Sequence, residues 1–172
     1  MRCLVIDDEE NIRKTTAVVL QSMGHETVTV DNGDAALKQA TGGHFDLAFL
    51  DLKLKGEDGL EVLTELRRNA PVLDVVMFSA YTTVPVTVDA MRRGAFDVLT
   101  KPFTPEQLRR VTQQIAKDRR LKARVAELES RLRSESPEAD YTTAEPGVQK
   151  VYDLALKAAP TPATVLILGE SG

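Results

Sequence analysis

Four apolar runs in this sequence each end on a residue able to do polar chemistry. "LVI" leads into Asp7-Asp8, "AFL" into Asp51, "VMF" into Ser79 and "VLT" into Lys101. Short apolar runs of this kind read as buried strands. In an open parallel sheet the carboxyl ends of the strands share one rim, and ligands bind there. The spacing therefore predicts that Asp7, Asp8, Asp51, Ser79 and Lys101 converge, although they lie far apart in the chain. Three carboxylates in one pocket repel one another and need an ammonium or a divalent cation to stay ionised. An all-oxygen set suits Mg²⁺, which keeps several of its waters. A lysine and a hydroxyl opposite can stabilise the equatorial oxygens of a transferred phosphoryl group. Asp51 would then be the nucleophile and the product an acyl phosphate. Each residue alone has a plainer reading, since acids favour helix N-termini and a serine ending a strand is a common turn residue. The set is what outweighs those readings.

The elements that must position these residues follow a regular alternation. "RCLVI" precedes a helical stretch from about Asn11 to Met23, with Ile12, Thr16, Val19, Leu20 and Met23 on one face and Gly24 at its end. "ETVTV" leads through "DNG" into "DAALKQA", ended by Gly42-Gly43, and "DLAFL" leads into "GLEVLTELRRN", ended by Pro71. Asp58 reads as the cap of that helix. "DVVMF" leads into "VPVTVDAMRR", with Pro85 near its start and Gly94 at its end. "FDVLT" leads into the longest helix, for which Thr104, Pro105 and Gln107 make a capping start. Strands alternating with helices predict an α/β fold, a five-stranded doubly wound parallel sheet covered on both faces, followed by a long C-terminal helix.

That last helix changes character along its length. Leu108, Val111 and Ile115 form a stripe that can close onto the sheet, whereas Leu121, Val125, Leu128 and Leu132 follow a 4-3-4 heptad rhythm. The two stripes are out of register and must face different partners. The second predicts a homodimer, with a helix folded back on its own domain as the alternative. Glu127 and Glu129 interrupt the basic run "KDRRLKARVAELESRLR", which reads as a solvated coiled-coil face rather than a DNA contact. The polar, proline-broken "SESPEAD" reads as a linker. It is followed by the amphipathic "GVQKVYDLALKAA", the strand "TVLIL" and Gly169-Glu170-Ser171-Gly172, which looks like the first half of a phosphate-binding loop, G-x-x-x-x-G-K-[ST].

Composition narrows the class. A formal net charge of −4 over 172 residues gives no reason to expect tight nucleic-acid binding by the whole chain. A single cysteine, Cys3, excludes an intrachain disulfide framework or a thiolate metal site, and His25 and His44 are isolated. Charged residues within the first twenty argue against a secretory signal, and no apolar run approaches the ~18 residues of a membrane span. The expected location is the cytoplasm, without membrane contact.

Taken together, "VIDDEE", "FLDLKLKGEDGLEVL", "FSAY" and "GAFDVLTKPF" resemble the receiver domain of two-component response regulators, over roughly residues 1–118. The resemblance implies a flavodoxin-like receiver fold in which Asp51 accepts a phosphoryl group from a sensor histidine kinase. It implies that Asp8, Asp51 and the backbone carbonyl of Lys53 hold Mg²⁺ with help from Asp7. Ser79 and Lys101 would contact the phosphoryl group, and Lys101-Pro102 would be a cis peptide. Val98 stands where the family usually has an aromatic switch residue, with Tyr81 as a candidate substitute. Lys55 and Glu57 replace a common proline and methionine, which predicts a more mobile and polar loop after Asp51.

The tail, "VQKVYDLALKAAPTPATVLILGESG", resembles the start of the AAA+ ATPase module of NtrC-type activators of the sigma-54 factor. The implied organisation is a receiver (1–118), a linker helix and polar linker (119–140) and the first part of an AAA+ module (141–172), cut inside its Walker A loop. The fragment itself would be a phosphoacceptor and no ATPase, while the parent protein would bind ATP, DNA and sigma-54 RNA polymerase. A stand-alone receiver acting as a phosphorelay intermediate is the alternative.

Overall fold

The computed structural model describes residues 1–80, 83–135, 146–160 and 166, with residues 132–135 and 146 described by backbone alone. Its main sheet has five parallel strands, β1 (Arg2–Ile6), β2 (Glu26–Val30), β3 (Leu47–Asp51), β6 (Asp74–Ser79) and β7 (Asp97–Thr100), in the order β2-β1-β3-β6-β7. A separate antiparallel pair, β4 (Lys53–Leu54) and β5 (Glu57–Asp58), lies between β3 and the next helix. The helices are α1 (Glu10–Ser22), α2 (Gly33–Gly42), α3 (Gly59–Asn69), α4 (Val84–Arg92), α5 (Pro105–Glu135) and α6 (Pro146–Ala158). Residues 1–122 form one compact unit and residues 123–172 another.

The two-residue period of a strand sends successive side chains to opposite faces, and here both faces are apolar. Leu4, Ile6, Ala48, Leu50, Val75 and Met77 pack with Ala36 of α2 and with Leu63 and Leu66 of α3. The intervening Cys3, Val5, Leu47, Phe49, Val76 and Phe78 pack with Val19 and Leu20 of α1 and with Leu108, Val111 and Ile115 of α5. A sheet apolar on both faces must be covered on both, which the crossover helices achieve. Burial also pushes the Cys3 thiol up to about 11, which leaves it a protonated core residue.

The predicted caps form. Asp58 accepts the N–H of Leu60 at 2.9 Å at the start of α3. Thr104 and Gln107 exchange hydrogen bonds, Thr104 N–H to Gln107 Oε1 at 2.8 Å and Gln107 N–H to Thr104 Oγ1 at 3.3 Å, making the capping box that starts α5. α1 ends where Gly24 adopts φ 80°, the left-handed conformation favoured at that position. Farther along α5, the Arg119 guanidinium reaches the opposite end of the sheet. Its Nη1 donates to the Asp46 and Val72 carbonyls and to Asp74 Oδ2, and its Nη2 to Asp46 Oδ1. Beyond it, Leu121, Val125 and Leu128 are exposed. The division between the two stripes of α5 therefore follows the sequence, with the first buried and the described side chains of the second exposed.

The loop after Asp51 forms the β4–β5 hairpin, turning at Gly56 with φ 83°; Leu54 is buried in the core, whereas Lys53 and Lys55 are exposed. Glu57 is bonded rather than free, accepting the N–H of Gly33 at 2.6 Å.

The burial pattern of α5 yields a direct test. Ile115→Ala should destabilise the folded protein by about 2–5 kcal/mol in chemical denaturation, the usual cost of emptying a core site of that size. Leu121→Ala, at an exposed position, should leave the same transition nearly unmoved.

Candidate functional site

Asp7 follows β1, Asp51 ends β3, Ser79 ends β6 and Lys101 follows β7, so all four stand at carboxyl ends of strands. Parallel pairing keeps those ends level: Asp51 lies opposite Phe78, and Ser79 opposite Thr100. The Lys101 N–H donates to the Ser79 carbonyl at 2.7 Å, which carries the β6–β7 pairing up to the lysine itself. Lys101-Pro102 is cis, as the resemblance implied. Phe103 then stacks on Phe78 at 4.3 Å between ring centroids, and Phe78 on Phe49 at 5.3 Å, which roots the segment after the lysine in the core.

The Lys101 ammonium lies 2.7 Å from Asp51 Oδ2, 2.8 Å from Asp7 Oδ2 and 3.3 Å from Glu9 Oε1. Asp7 is fully buried, Asp51 and Ser79 are nearly so, and Asp8 is exposed. Burial raises the Asp7 carboxyl above its ordinary range, and the adjacent Lys101 ammonium and the Glu9 N–H only partly offset this. Burial by itself would lower the Lys101 pKa. The adjacent Asp51 and Asp7 carboxylates outweigh it, so the net shift is upward and the ammonium is retained. Asp8, Asp51, Ser79 and Lys101 open into a cleft of about 520 Å³ also lined by Glu9, Lys53, Thr83 and Val86, with Asp7 behind it.

Ligand oxygens of Asp7, Asp8 and Asp51 lie within 4.8 Å of one another. One ammonium faces this group of carboxylates, and Asp7 Oδ2, although close to it, makes no aligned hydrogen bond. A buried carboxylate oxygen without an aligned donor, beside two more carboxylates, fits a hard divalent cation such as Mg²⁺. Lys53, assigned from the resemblance, adjoins this group: its N–H faces Asp51 Oδ1 at 3.4 Å.

Two contributors escaped the sequence reading. Glu9, which looked like one acid among four, is a third partner of Lys101 and donates its own N–H to Asp7 Oδ1 at 2.8 Å. Gly59 is the other. A Cβ there would run into the carbonyl oxygens of Asp51 and Leu52, so only glycine lets α3 start against the strand end that carries Asp51. The acid-rich "DDEE" and the glycine after a capping aspartate were the available signals. Val98 is half-buried and packs on the core face shared with α2 and α3. Tyr81 and Gly169 to Gly172 lie outside the described residues, as does the side chain of Leu132.

Comparison with known proteins places this geometry. The family model described as response regulator receiver domain matches residues 3–113. The alginate biosynthesis transcriptional regulatory protein AlgB of Pseudomonas putida is 37% identical over 171 residues, covering 99% of this chain and 38% of that protein. The regulatory protein AtoC of Escherichia coli is 31% identical, covering 99% of this chain and 37% of that protein. The chain thus spans under two-fifths of the length of these curated relatives. Among solved structures, NtrX from Brucella abortus in complex with ATP superposes with a TM-score of 0.69 at 33% identity, covering 93% of this chain and 35% of that one. A CheY-like receiver domain from Methanospirillum hungatei gives a TM-score of 0.65 at 24% identity over 69% of this chain and 96% of that one, a likeness of fold.

The buried Asp7 gives a pH-dependent prediction. Its native pKa is raised, so the unfolded chain loses this proton first as pH rises. The cost to native stability is absent well below the unfolded carboxylate pKa and full above the native one. Lys101, raised in the native state, contributes in the other sense: its stabilisation is present at neutral pH and lost only above its ordinary value. In metal-free buffer Asp7→Asn should therefore melt higher than wild type at pH 7, with the difference gone by about pH 3, below the unfolded aspartate pKa. Added Mg²⁺ should stabilise the wild type more than the variant. An Asn variant that melts lower at pH 7 would contradict the burial argument.

Proposed function

Because the chain belongs to the response regulator receiver domain family, we propose that it is the phosphoacceptor of a two-component system, taking a phosphoryl group on Asp51 from a sensor histidine kinase. The observation that carries this reading is the Lys101 ammonium held between Asp51 and Asp7 at 2.7 and 2.8 Å. A carboxylate oxygen of Asp51 attacks phosphorus, the bond from phosphorus to the donor's imidazole nitrogen breaks, and an aspartyl phosphate remains. Lys101 starts on Asp51 and can follow the charge onto the phosphoryl oxygens without leaving its pocket. The Ser79 hydroxyl, at the end of β6, donates to a second phosphoryl oxygen. Asp8, Asp51 and the Lys53 carbonyl would hold Mg²⁺, with Asp7 behind them, and the ion would neutralise negative charge gathering on the phosphoryl group. Water attacking the same phosphorus later breaks its bond to the Asp51 oxygen, releasing inorganic phosphate and restoring the carboxylate.

The output assigned to this receiver is control of transcription. AlgB, named as a transcriptional regulatory protein, and AtoC, named as a regulatory protein, match along nearly the whole chain, beyond the receiver, and this favours a multidomain regulator over a stand-alone phosphorelay receiver. In this reading residues 1–118 are the receiver, 119–140 the linker and 141–172 the edge of an AAA+ module whose nucleotide loop starts at Gly169. The parent protein is then a sigma-54-dependent activator that binds ATP, DNA and RNA polymerase. The linker helix is assigned as the dimer contact, since Leu121, Val125 and Leu128 are exposed at 4-3 spacing and Leu132 continues the pattern. Glu127, bridged to Arg124 and Arg131 at 2.6 Å each, supports a charged outer face to that helix.

Two measurements test the two parts. With Mg²⁺ and acetyl phosphate, intact mass should show one added phosphate on the wild type and none on Asp51→Ala, and chelation of Mg²⁺ should stop the reaction. Equal labelling of the variant would remove Asp51 from the mechanism. Sedimentation over a concentration series should show a dimer that Leu128→Asp weakens by at least tenfold. A variant dimerising as tightly as wild type would place the dimer contact elsewhere.

A further inference from the structure

The hairpin after Asp51 is held by two adjacent carboxylates that reach different helices. Asp58 caps α3, which follows it directly, by accepting the Leu60 N–H at 2.9 Å. Glu57 reaches back 24 residues to α2, where its Oε2 accepts the Gly33 N–H at 2.6 Å. The first N–H groups of a helix lack intrahelical partners and carry its positive end, so a carboxylate there gains both a charge-assisted bond and a favourable dipole. Asn32 already caps the Ala35 N–H of the same helix, which leaves the Gly33 N–H for Glu57. Gly33 is buried, and a Cβ on it would stand 2.6 Å from both Glu57 Oε2 and Val62 Cγ2. The glycine therefore makes room for the carboxylate.

We propose that Glu57 is a positioning residue for the metal site: by binding the start of α2 it fixes the β4–β5 hairpin, and through it the main chain of Lys53. The connection is short. Glu57 pairs with Leu54 across the hairpin and Asp58 with Lys53, so the register of Lys53 is set by the strand that Glu57 anchors. Buried Leu54 and the Asp58 cap tie the hairpin to the core and to α3, and Glu57 adds its attachment to α2. Lys53, in turn, stands beside Asp51 Oδ1. Asp7, Asp8 and Asp51 are set by strand ends, so the Lys53 carbonyl is the single member of the ligand set carried by the hairpin. This inference rests on the phosphoacceptor reading above.

The test is Mg²⁺ binding by calorimetry on the 172-residue chain, with melting temperature followed in parallel. Groups that orient metal ligands typically change affinity 10- to 100-fold when removed. Glu57→Ala should weaken Mg²⁺ binding about 10-fold, at the low end of that range, because the hairpin keeps Leu54. Glu57→Gln, which retains an acceptor oxygen, should recover most of the affinity. Gly33→Ala should reproduce the loss with Glu57 present, and the double variant should be no weaker than the weaker single one, as expected for residues acting through one contact. Phosphorylation by acetyl phosphate should slow in Glu57→Ala at limiting Mg²⁺ and return to the wild-type rate at saturating Mg²⁺. A purely structural role would lower the melting temperature of Glu57→Ala and leave its Mg²⁺ affinity unchanged, and that result overturns the proposal. If Gly33→Ala does not fold because of Val62, the comparison of Glu57→Ala with Glu57→Gln decides alone. A wild type that binds no Mg²⁺ overturns the metal reading and this inference with it, whereas wild-type binding matched by Glu57→Ala overturns only the inference.

Discussion

The charge balance around the Lys101 ammonium is the interaction on which the rest of this structure depends. Three acidic side chains, from Asp7, Glu9 and Asp51, meet one buried cation at 2.7 to 3.3 Å. Unpaired, carboxylates as buried as Asp7 and Asp51 would cost several kcal/mol each, on the order expected for ions removed from water. The sheet accepts that cost because its geometry delivers the compensating charge to the same place. A lysine one residue past β7 and an aspartate ending β3 can meet only if β6 lies between them in parallel register, as it does. The fold's connectivity and the pocket's electrostatics are thus one constraint. A site poised in this way responds to charge, since a phosphoryl group or a divalent cation alters a balance that is already tight.

The same sheet sets where that response can travel. Its two faces are packed by different helices, α2 and α3 on one and α1 and α5 on the other. α5 has two further attachments at opposite ends of the sheet. Near its start, Phe103, two residues past Lys101, stacks on Phe78 of β6. Two turns past Leu108 and one past Val111, Ile115 is still buried, and Arg119 then binds Asp46 and Asp74 at the amino ends of β3 and β6. The helix is therefore fastened along the whole height of the sheet before its exposed leucine stripe begins. Movement of the lysine segment acts on a helix with fixed points, which suits a lever better than a tether.

Around Asp51 the small residues matter as much as the charged ones. Gly59 lets α3 begin against the carbonyls of Asp51 and Leu52, Gly56 turns the hairpin, and Gly33 leaves space for Glu57. At Gly59 and Gly33 a side chain would press on neighbouring atoms, whereas at Gly56 the positive φ is what calls for glycine. The result is a loop tied to two helices. Polar residues in a loop look solvated until a partner is known, and the partner of Glu57 is a backbone N–H 24 positions away.

By itself the sequence determined which residues form the five strands of the main sheet and the helices that cover it, though not the short β4–β5 pair, because apolar period and capping chemistry are local. The alternation of "LVI", "AFL", "VMF" and "VLT" with amphipathic segments was enough to place Asp7, Asp51, Ser79 and Lys101 on one rim. It was also enough to cap α3 at Asp58 and α5 at Thr104, and to separate the two stripes of α5. Only the tertiary structure decided which acid pairs with the ammonium, which side chains hold the loop after Asp51 and what Arg119 is for. Those are contacts between residues 24 to 94 positions apart. Their existence depends on strand order and on fractions of an ångström at Gly33 and Gly59, quantities that no local pattern encodes. The sequence names the chemistry because types and strand ends are written in it; the structure assigns the partners because distance is a property of the fold.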